Sequence, residues 1–369
     1  MPKNPTSSKL VSGLLRWFAA NARDLPWRRT RDPYAIWVSE IMLQQTQVKT
    51  VIPYWERWMR ELPTIEALAK AKPDKTHKLW EGLGYYTRVR NMQKAAQQII
   101  VEHVGKFPED FDAVLALPGI GRYTAGAICS IAFNQPTPIL DGNVIRVLTR
   151  VYGIAGSPRD KQTNARLWEL AEELVGSAKN AKVTKSQCSP PPSRPSRETN
   201  FCSFFNQSMM ELGALVCTPR NPKCESCPLK QLCVAVRERR VDELPNLGQR
   251  TATTERRFAA FIVERAGKFL VRQRPAGIVN AHFWEFPNEE IPSPHGSKEF
   301  RVAKEAKPFC VVRHSITRYR ITLEAFRAKL APRIKPSGRW LKVKEMDALP
   351  FTSAHRKILN RHIAGTKPV

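Results

Sequence analysis

Acidic residues are scarce in this chain. Its 369 residues hold 33 Asp and Glu against 60 Lys and Arg, a formal net charge of +27. That excess is more than solubility requires and points to a polyanionic partner, nucleic acid ahead of a membrane surface. Long apolar runs are also missing, and none could span a bilayer. The opening MPKNPTSSKLVSGLLRW has no apolar core before a small-residue cleavage site, so a cytoplasmic location is expected, nucleoid-associated if the source is bacterial. Cysteines number eight, and Cys129, Cys188, Cys202 and Cys310 are scattered. This excludes the even framework of a small secreted disulfide fold. No internal repeat is present, and a monomer is expected.

What remains suits a chain of two or three domains, with 42% hydrophobic residues available for cores. Residues 7 to about 175 read mostly as helices, among them Ser12–Asn21, Gln47–Glu61, Ile65–Ala71, Val89–Glu102 and Arg122–Ala132, punctuated by prolines. Segment 176–200, rich in Pro, Ser, Lys and Arg, reads as a mobile surface insertion. Residues 237–257 read as a linker. Beyond them, 258-FAAFIVERAGKFLVRQR-274 reads as two strands joined at Ala266-Gly267, and 309–330 continues the alternation. A closing helix capped by Thr352 or Ser353 completes an α+β domain over 258–365.

Three patterns carry chemistry. Cys217, Cys224, Cys227 and Cys233 form C-x6-C-x2-C-x5-C, one metal site in a reducing compartment. Zinc and an iron–sulfur cluster both use four thiolates; the loose outer arms suit a cube-shaped [4Fe–4S] cluster. Between two helices, Pro118-Gly119-Ile120-Gly121 forms a tight hairpin, the helix-hairpin-helix pattern, whose N–H groups and following helix suit a DNA phosphate. Asp141 precedes a helix as its N-cap, where the helix dipole would hold a carboxylate ionised, as a site stabilising a developing cation needs. One further run, 38-VSEIMLQQTQVKTV-51, scans poorly as a single amphipathic helix because Gln45 falls in the middle of its apolar arc. A break there, with Thr46 capping a second helix, would place Glu40 and Gln44-Gln45 around a bend.

Taken together, LPWRRTRDPYAIWVSEIMLQQTQV, GLGYYTRVRN, LPGIGRYTAGAI, ILDGNVIRVLTRVYG, MMELGALVC and the cysteine spacing resemble the MutY-type adenine DNA glycosylases. These belong to the helix-hairpin-helix glycosylases. The resemblance runs from about residue 9 to 235, interrupted by 176–200, and continues more weakly beyond. It implies a helical glycosylase domain over 7–236 with a [4Fe–4S] loop, followed by a MutT-like (Nudix-fold) domain that reads 8-oxoguanine. The implied activity is removal of adenine mispaired with 8-oxoguanine or guanine in double-stranded DNA, after the adenine leaves the stack. Glu40 matches the acid that protonates adenine N7, a task that needs an apolar setting to raise its pKa. Asp141 matches the carboxylate that stabilises an oxocarbenium-like sugar. Tyr123 stands where lyase-active relatives place a Schiff-base lysine, which implies a monofunctional enzyme. Gln45 and Tyr85 match residues that wedge into the duplex, Arg28 and Gln207 match adenine-pocket contacts, and Asn143 lies beside the sugar site.

The second domain departs from the family. His282, in 277-GIVNAHFWEFPN-288, stands where small residues are common. No R-E-x-x-E-E helix for Mg²⁺ follows Pro287, so pyrophosphatase activity is not expected. The family's Phe-Ser-His loop aligns with Ile316-Thr317-Arg318, keeping only the hydroxyl of Thr317 and shifting weight to Arg318, His314 or Tyr319. Two other readings compete: an endonuclease-III-like glycosylase/lyase for oxidised pyrimidines, and a non-catalytic iron–sulfur DNA-binding or redox-sensing protein. Tyr123 opposes the first, and Glu40 with Asp141 in their motifs opposes the second.

Overall fold

The computed structural model describes residues 7–180, 201–248, 252–290, 297–316, 318–363 and 365. They form two compact units, one from residues up to 69 with 92–250 and the other from 70–91 with 251 onwards. Thr317 and residues 181–200 lie outside the described residues. Among those described, no helix is long and apolar enough to cross a membrane.

The first unit is helical. Its elements are α1 (Ser7–Asn21), α2 (Pro33–Leu43), α3 (Val48–Glu61) and α4 (Ile65–Lys70). The next helix, α5 (Pro73–Trp80), lies in the second unit, and α6 (Thr87–Glu102) begins there and continues in the first. Then come α7 (Phe111–Leu115), α8 (Arg122–Phe133), α9 (Gly142–Tyr152), α10 (Lys161–Lys179), α11 (Phe201–Leu215) and α12 (Val234–Arg237). Helices α1, α9, α10 and α11 close one core around Leu14, Val147, Leu174, Phe205 and Leu212. Each such side chain contributes about 1.5–3 kcal/mol when taken fully out of water. The expected insertion begins later than its composition suggested, because α10 stays helical through Lys179.

Helix α2 corrects the picture of an amphipathic element. Its nine residues from Tyr34 to Met42 are all buried. A helix covered on every side has no polar face, so Glu40 shares the burial of its apolar neighbours. The chain breaks after Leu43 as expected, with Gln45 exposed in the left-handed region at φ 55°. Thr46 does not cap α3; its hydroxyl donates to the Gln44 carbonyl at 3.3 Å, and Gln47 takes the N-cap position without a side-chain bond.

The second unit is a mixed sheet with helices. Strands β1 (Thr254–Arg265), β2 (Lys268–Gln273), β3 (Trp284–Glu285), β4 (Asn288–Glu289), β5 (Phe300–Arg301), β6 (Cys310–Ile316), β7 (Tyr319–Leu330) and β8 (Arg339–Leu341) precede α13 (Val343–Ala348) and α14 (Ser353–Ile363). Strand β1 runs parallel to β7 from Thr254↔Tyr319 to Val263↔Ala328, and β6 pairs antiparallel with β7. Ala266 and Gly267, both at positive φ, make the expected turn between β1 and β2. Residues 259–263 are buried without alternation because apolar clusters cover both faces. Ala260, Ile262 and Phe286 pack with Ile358 of α14 on one face, while Phe261 and Leu270 pack with Phe326 on the other.

Gly126 of α8 sets how closely the segment leading to Asp141 can approach. A Cβ there would lie 2.2 Å from the Pro138 carbonyl oxygen. Gly126→Ala is expected to destabilise the protein by about 1–3 kcal/mol through overpacking. Gly176→Ala in α10, where a Cβ meets nothing within 4 Å, is expected to stabilise it by about 0.5–1 kcal/mol. Urea denaturation of the two variants checks both signs.

Candidate active site and cysteine loop

Elements α2, α8, α9 and α11 converge on a cavity of about 500 Å³ in the first unit. Glu40, Tyr123, Asp141, Asn143, Arg28, Gln45 and Gln207 all line it. Seven residues from four separate stretches of the sequence thus share one wall system.

Glu40 is only 5% exposed. Its Oε2 accepts one hydrogen bond, from Tyr123 Oη at 2.8 Å; the phenol oxygen also lies 3.3 Å from Met210 Sδ. Burial pushes the carboxyl up to about 7, and the nearby charge of Asp141 adds to that. The Tyr123 bond and the charge of Arg28 pull in the opposite direction and do not prevail. Tyr123 therefore does more than occupy a position where a lysine would be reactive.

Asp141 caps α9. It accepts from the Val144 N–H at 2.8 Å and from Asn143 Nδ2 at 2.8 Å. Its carboxyl is nevertheless raised from its ordinary range, because burial outweighs those bonds. The sequence suggested that the helix end holds this group ionised; burial opposes it and raises the carboxyl. Asn143 is fixed from its other side by Arg146 Nη2 at 2.8 Å, and Arg146 Nε donates to the Cys217 carbonyl at 2.6 Å.

Glu211 and its partner Arg23 escaped the sequence reading. Glu211 on α11 accepts from Arg28 Nη2 at 2.9 Å and from Arg23 Nη2 at 2.7 Å. Burial alone would raise Glu211, but the bonds from Arg23 and Arg28 bring it down to about 2. A carboxylate inside M-M-E-L-G-A-L, an otherwise apolar stretch, was the available signal. Arg28 also donates to the Arg23 carbonyl, so its guanidinium is largely committed. Gln207 is buried, and its Nε2 donates to Ser203 Oγ at 3.1 Å.

The other sites lie elsewhere. At the hairpin, Gly119 takes φ 79°, the Ile120 N–H closes onto the Leu117 carbonyl, and no side chain caps α8. That leaves the first turn of α8 suited to an anion. Tyr85 sits on an exposed turn of the second unit. The β6–β7 hairpin brings Arg318 over the Tyr319 ring, 5.2 Å from its centroid.

Cys217, Cys224, Cys227 and Cys233 line one small cavity. Among the described residues no three Cys, His, Asp or Glu side chains converge closely enough to hold a single ion. Four thiols facing one small cavity are the donor set of an iron–sulfur cluster. Arg150 Nη1, 3.4 Å from Cys217 Sγ, supplies positive charge to such a thiolate site.

Comparison with known proteins supplies the family. Residues 38–173 match the HhH-GPD superfamily of base excision DNA repair proteins. Residues 217–233 match the iron–sulfur binding domain of endonuclease III, and 259–361 match the NUDIX domain. The chain is 34% identical to the adenine DNA glycosylase of Rattus norvegicus, over 96% of this chain and 78% of that protein. It is 33% identical to the adenine DNA glycosylase of Homo sapiens, over 96% of this chain and 74% of that protein. A solved thermostable thymine-DNA glycosylase is 30% identical with a TM-score of 0.53, covering 63% of this chain and 97% of that one. The cofactor of the cysteine loop is a [4Fe–4S] cluster, and when bound it ties that loop together through thiolate–iron bonds.

The raised carboxyl of Glu40 makes a stability prediction. Below about pH 4.5 the group is protonated in folded and unfolded chains alike, and Glu40→Gln changes little. As pH rises towards about 7, only the unfolded chain ionises freely, and the wild type loses stability that the amide keeps. Glu40→Gln is therefore expected to be more stable above pH 7 by about 2–3 kcal/mol. Thermal denaturation across pH 4 to 8 measures the difference.

Proposed function

This chain belongs to the adenine DNA glycosylase family and is a DNA glycosylase; from that premise we propose that it removes adenine mispaired with 8-oxoguanine or guanine. The observation that carries the mechanism is Glu40, protonatable near pH 7 in the same cavity as Asp141. The flipped adenine enters that cavity. Glu40 gives its proton to N7, and the C1′–N9 electron pair leaves with the base. Asp141 as carboxylate stabilises the oxocarbenium-like sugar, held in place by the Val144 N–H and Asn143. Water then bonds C1′, directly or after Asp141, and returns a proton to the site.

The remaining residues follow from this arrangement. One N–H of Gln207 goes to Ser203 Oγ, and its carbonyl oxygen accepts from the adenine amino group. Arg28 fixes Glu211 and the pocket wall, and its contact with adenine is secondary. Gln45 and Tyr85, both exposed at positive φ, are the wedge residues. The Pro118–Gly121 hairpin takes a phosphate. Arg318 and Tyr319 at the β6–β7 turn, beside Thr317, serve lesion reading. With Tyr123 bonded to Glu40 and no amine in its place, the enzyme is monofunctional.

The test is excision from duplexes carrying A:8-oxoguanine, A:G or thymine glycol, followed by alkali. Cleavage of the adenine strand is expected, with Glu40→Gln slower by about 10²–10⁴-fold. Adenine strands that survive as well with the wild type as with Glu40→Gln would sink the reading. Efficient borohydride trapping on DNA would sink monofunctionality.

The rate is expected to fall as pH rises through about 7, where Glu40 loses its proton. Tyr123→Phe removes a bond that holds that value down, so its falling limb moves to higher pH. A limb that moves lower contradicts the assignment.

A further inference from the structure

We infer that Phe283 positions Tyr85, acting through Tyr86, so that the Nudix-type fold aims an exposed aromatic carried by the helical sequence. This rests on the proposed role of Tyr85 at the lesion-bearing duplex. Residues 70–91 belong to the same compact unit as the sheet. Within them the turn between α5 and α6 takes positive φ at Gly82, Gly84 and Tyr85. The left-handed step at Tyr85 sends neighbouring rings to opposite sides: Tyr85 is 48% exposed and Tyr86 3%. A non-glycine residue holds that conformation only where its surroundings impose it.

Part of the imposition is local. Trp80 Nε1 donates to the Gly84 carbonyl at 3.1 Å, and Arg88 Nη2 donates to the Leu83 and Gly84 carbonyls at 3.0 and 3.1 Å. The Arg88 guanidinium lies between the Trp80 and Tyr85 rings, 5.3 and 5.6 Å from their centroids. The rest comes from the C-terminal sequence. Tyr86 stacks on Phe283 with centroids 3.6 Å apart and planes at 28°, and its hydroxyl lies 3.1 Å from Ser353 Oγ. His77 packs on Phe283 at 5.1 Å, so the ring is gripped by aromatics of α5 and of the turn. Arg90 donates to the Ala281 carbonyl at 3.0 Å, and Arg356 pairs with Glu81 at 2.6 Å. Both ends of the Tyr85 turn are thus pinned to the sheet unit, and Phe283 is the central contact.

Two measurements on the full-length iron–sulfur holoprotein test this. Fluorotyrosine at position 85 reports the state of the ring by ¹⁹F NMR without DNA. Phe283→Leu and Tyr86→Leu should shift or broaden that signal, while Tyr86→Phe, which keeps the stacked ring, should not. A signal unchanged by both leucine variants overturns the inference. In single-turnover excision on A:8-oxoguanine, Phe283→Leu should lose about fivefold to thirtyfold, and adding Tyr85→Ala should cost no more than Tyr85→Ala alone. Additive losses overturn the inference. Excision unaffected by Tyr85→Ala, together with a shifted ¹⁹F signal, overturns the role of Tyr85 and leaves the positioning supported. Should Phe283→Leu fail to fold, Tyr86→Leu decides the same cycle.

Discussion

Arg28 is held by Glu211, and the active cavity depends on where that cation rests. Glu40 and Glu211 face the same space, and burial pushes both towards neutrality. Glu211 receives two guanidinium groups and sits near 2; Glu40 receives a single phenol and sits near 7. A unit charge 4 Å away is worth about 4 kcal/mol at the effective dielectric of such sites. That is about three pKa units. If Arg28 turned from Glu211 onto Glu40, the proton at Glu40 would be lost near neutral pH. The bidentate geometry on Glu211, closed from the other side by Arg23, keeps the cation away. An acid and a permanently ionised carboxylate can therefore coexist in one pocket.

Helix α9 links two features that the sequence presents separately. Asp141 and Asn143 stand at its start, Arg146 one turn later, and Arg150 a further turn on. Arg146 bonds Asn143 and the Cys217 carbonyl, while Arg150 reaches the Cys217 sulfur and the carbonyls of Thr218 and Leu244. The spacing of about four residues puts both arginines on one helix face. The cysteine loop is thereby fastened to the helix that orients Asp141. A cluster held by those four cysteines would tie the loop to that helix.

The parts read correctly from sequence share a physical basis. Helix breaks at prolines, the glycine hairpin, the turn at Ala266-Gly267 and the cysteine spacing are local signals, settled by residues a few positions apart. Glu40 and Asp141, which line one cavity, were singled out through long motifs and, for Asp141, through its N-cap position. What escaped was non-local. Periodicity gave the run 38–51 one apolar arc, whereas Tyr34–Met42 of α2 are buried on every side by elements far away in sequence. Glu211 was not singled out, because its partners lie 183 and 188 residues distant. The assignment of residues 70–91 to the sheet unit is of the same kind, since Phe283 and Ser353 carry no local mark of it.

Gln45 and Tyr85 show why a local misfit can be informative. Each follows a helix break, each takes a positive φ that its side chain disfavours, and each remains exposed. Strain of this kind, of order 1 kcal/mol or more per residue, persists only when something nearby enforces it. For Gln45 that is the full burial of α2 on one side and the start of α3 on the other. For Tyr85 it is the pair of carbonyl-directed donors on Gly84 and the stack beneath Tyr86. Both side chains are exposed, so burial in a core does not account for their conformation. A polar amide and an aromatic ring kept out of the core by strained backbone are what the proposed entry into a base stack requires.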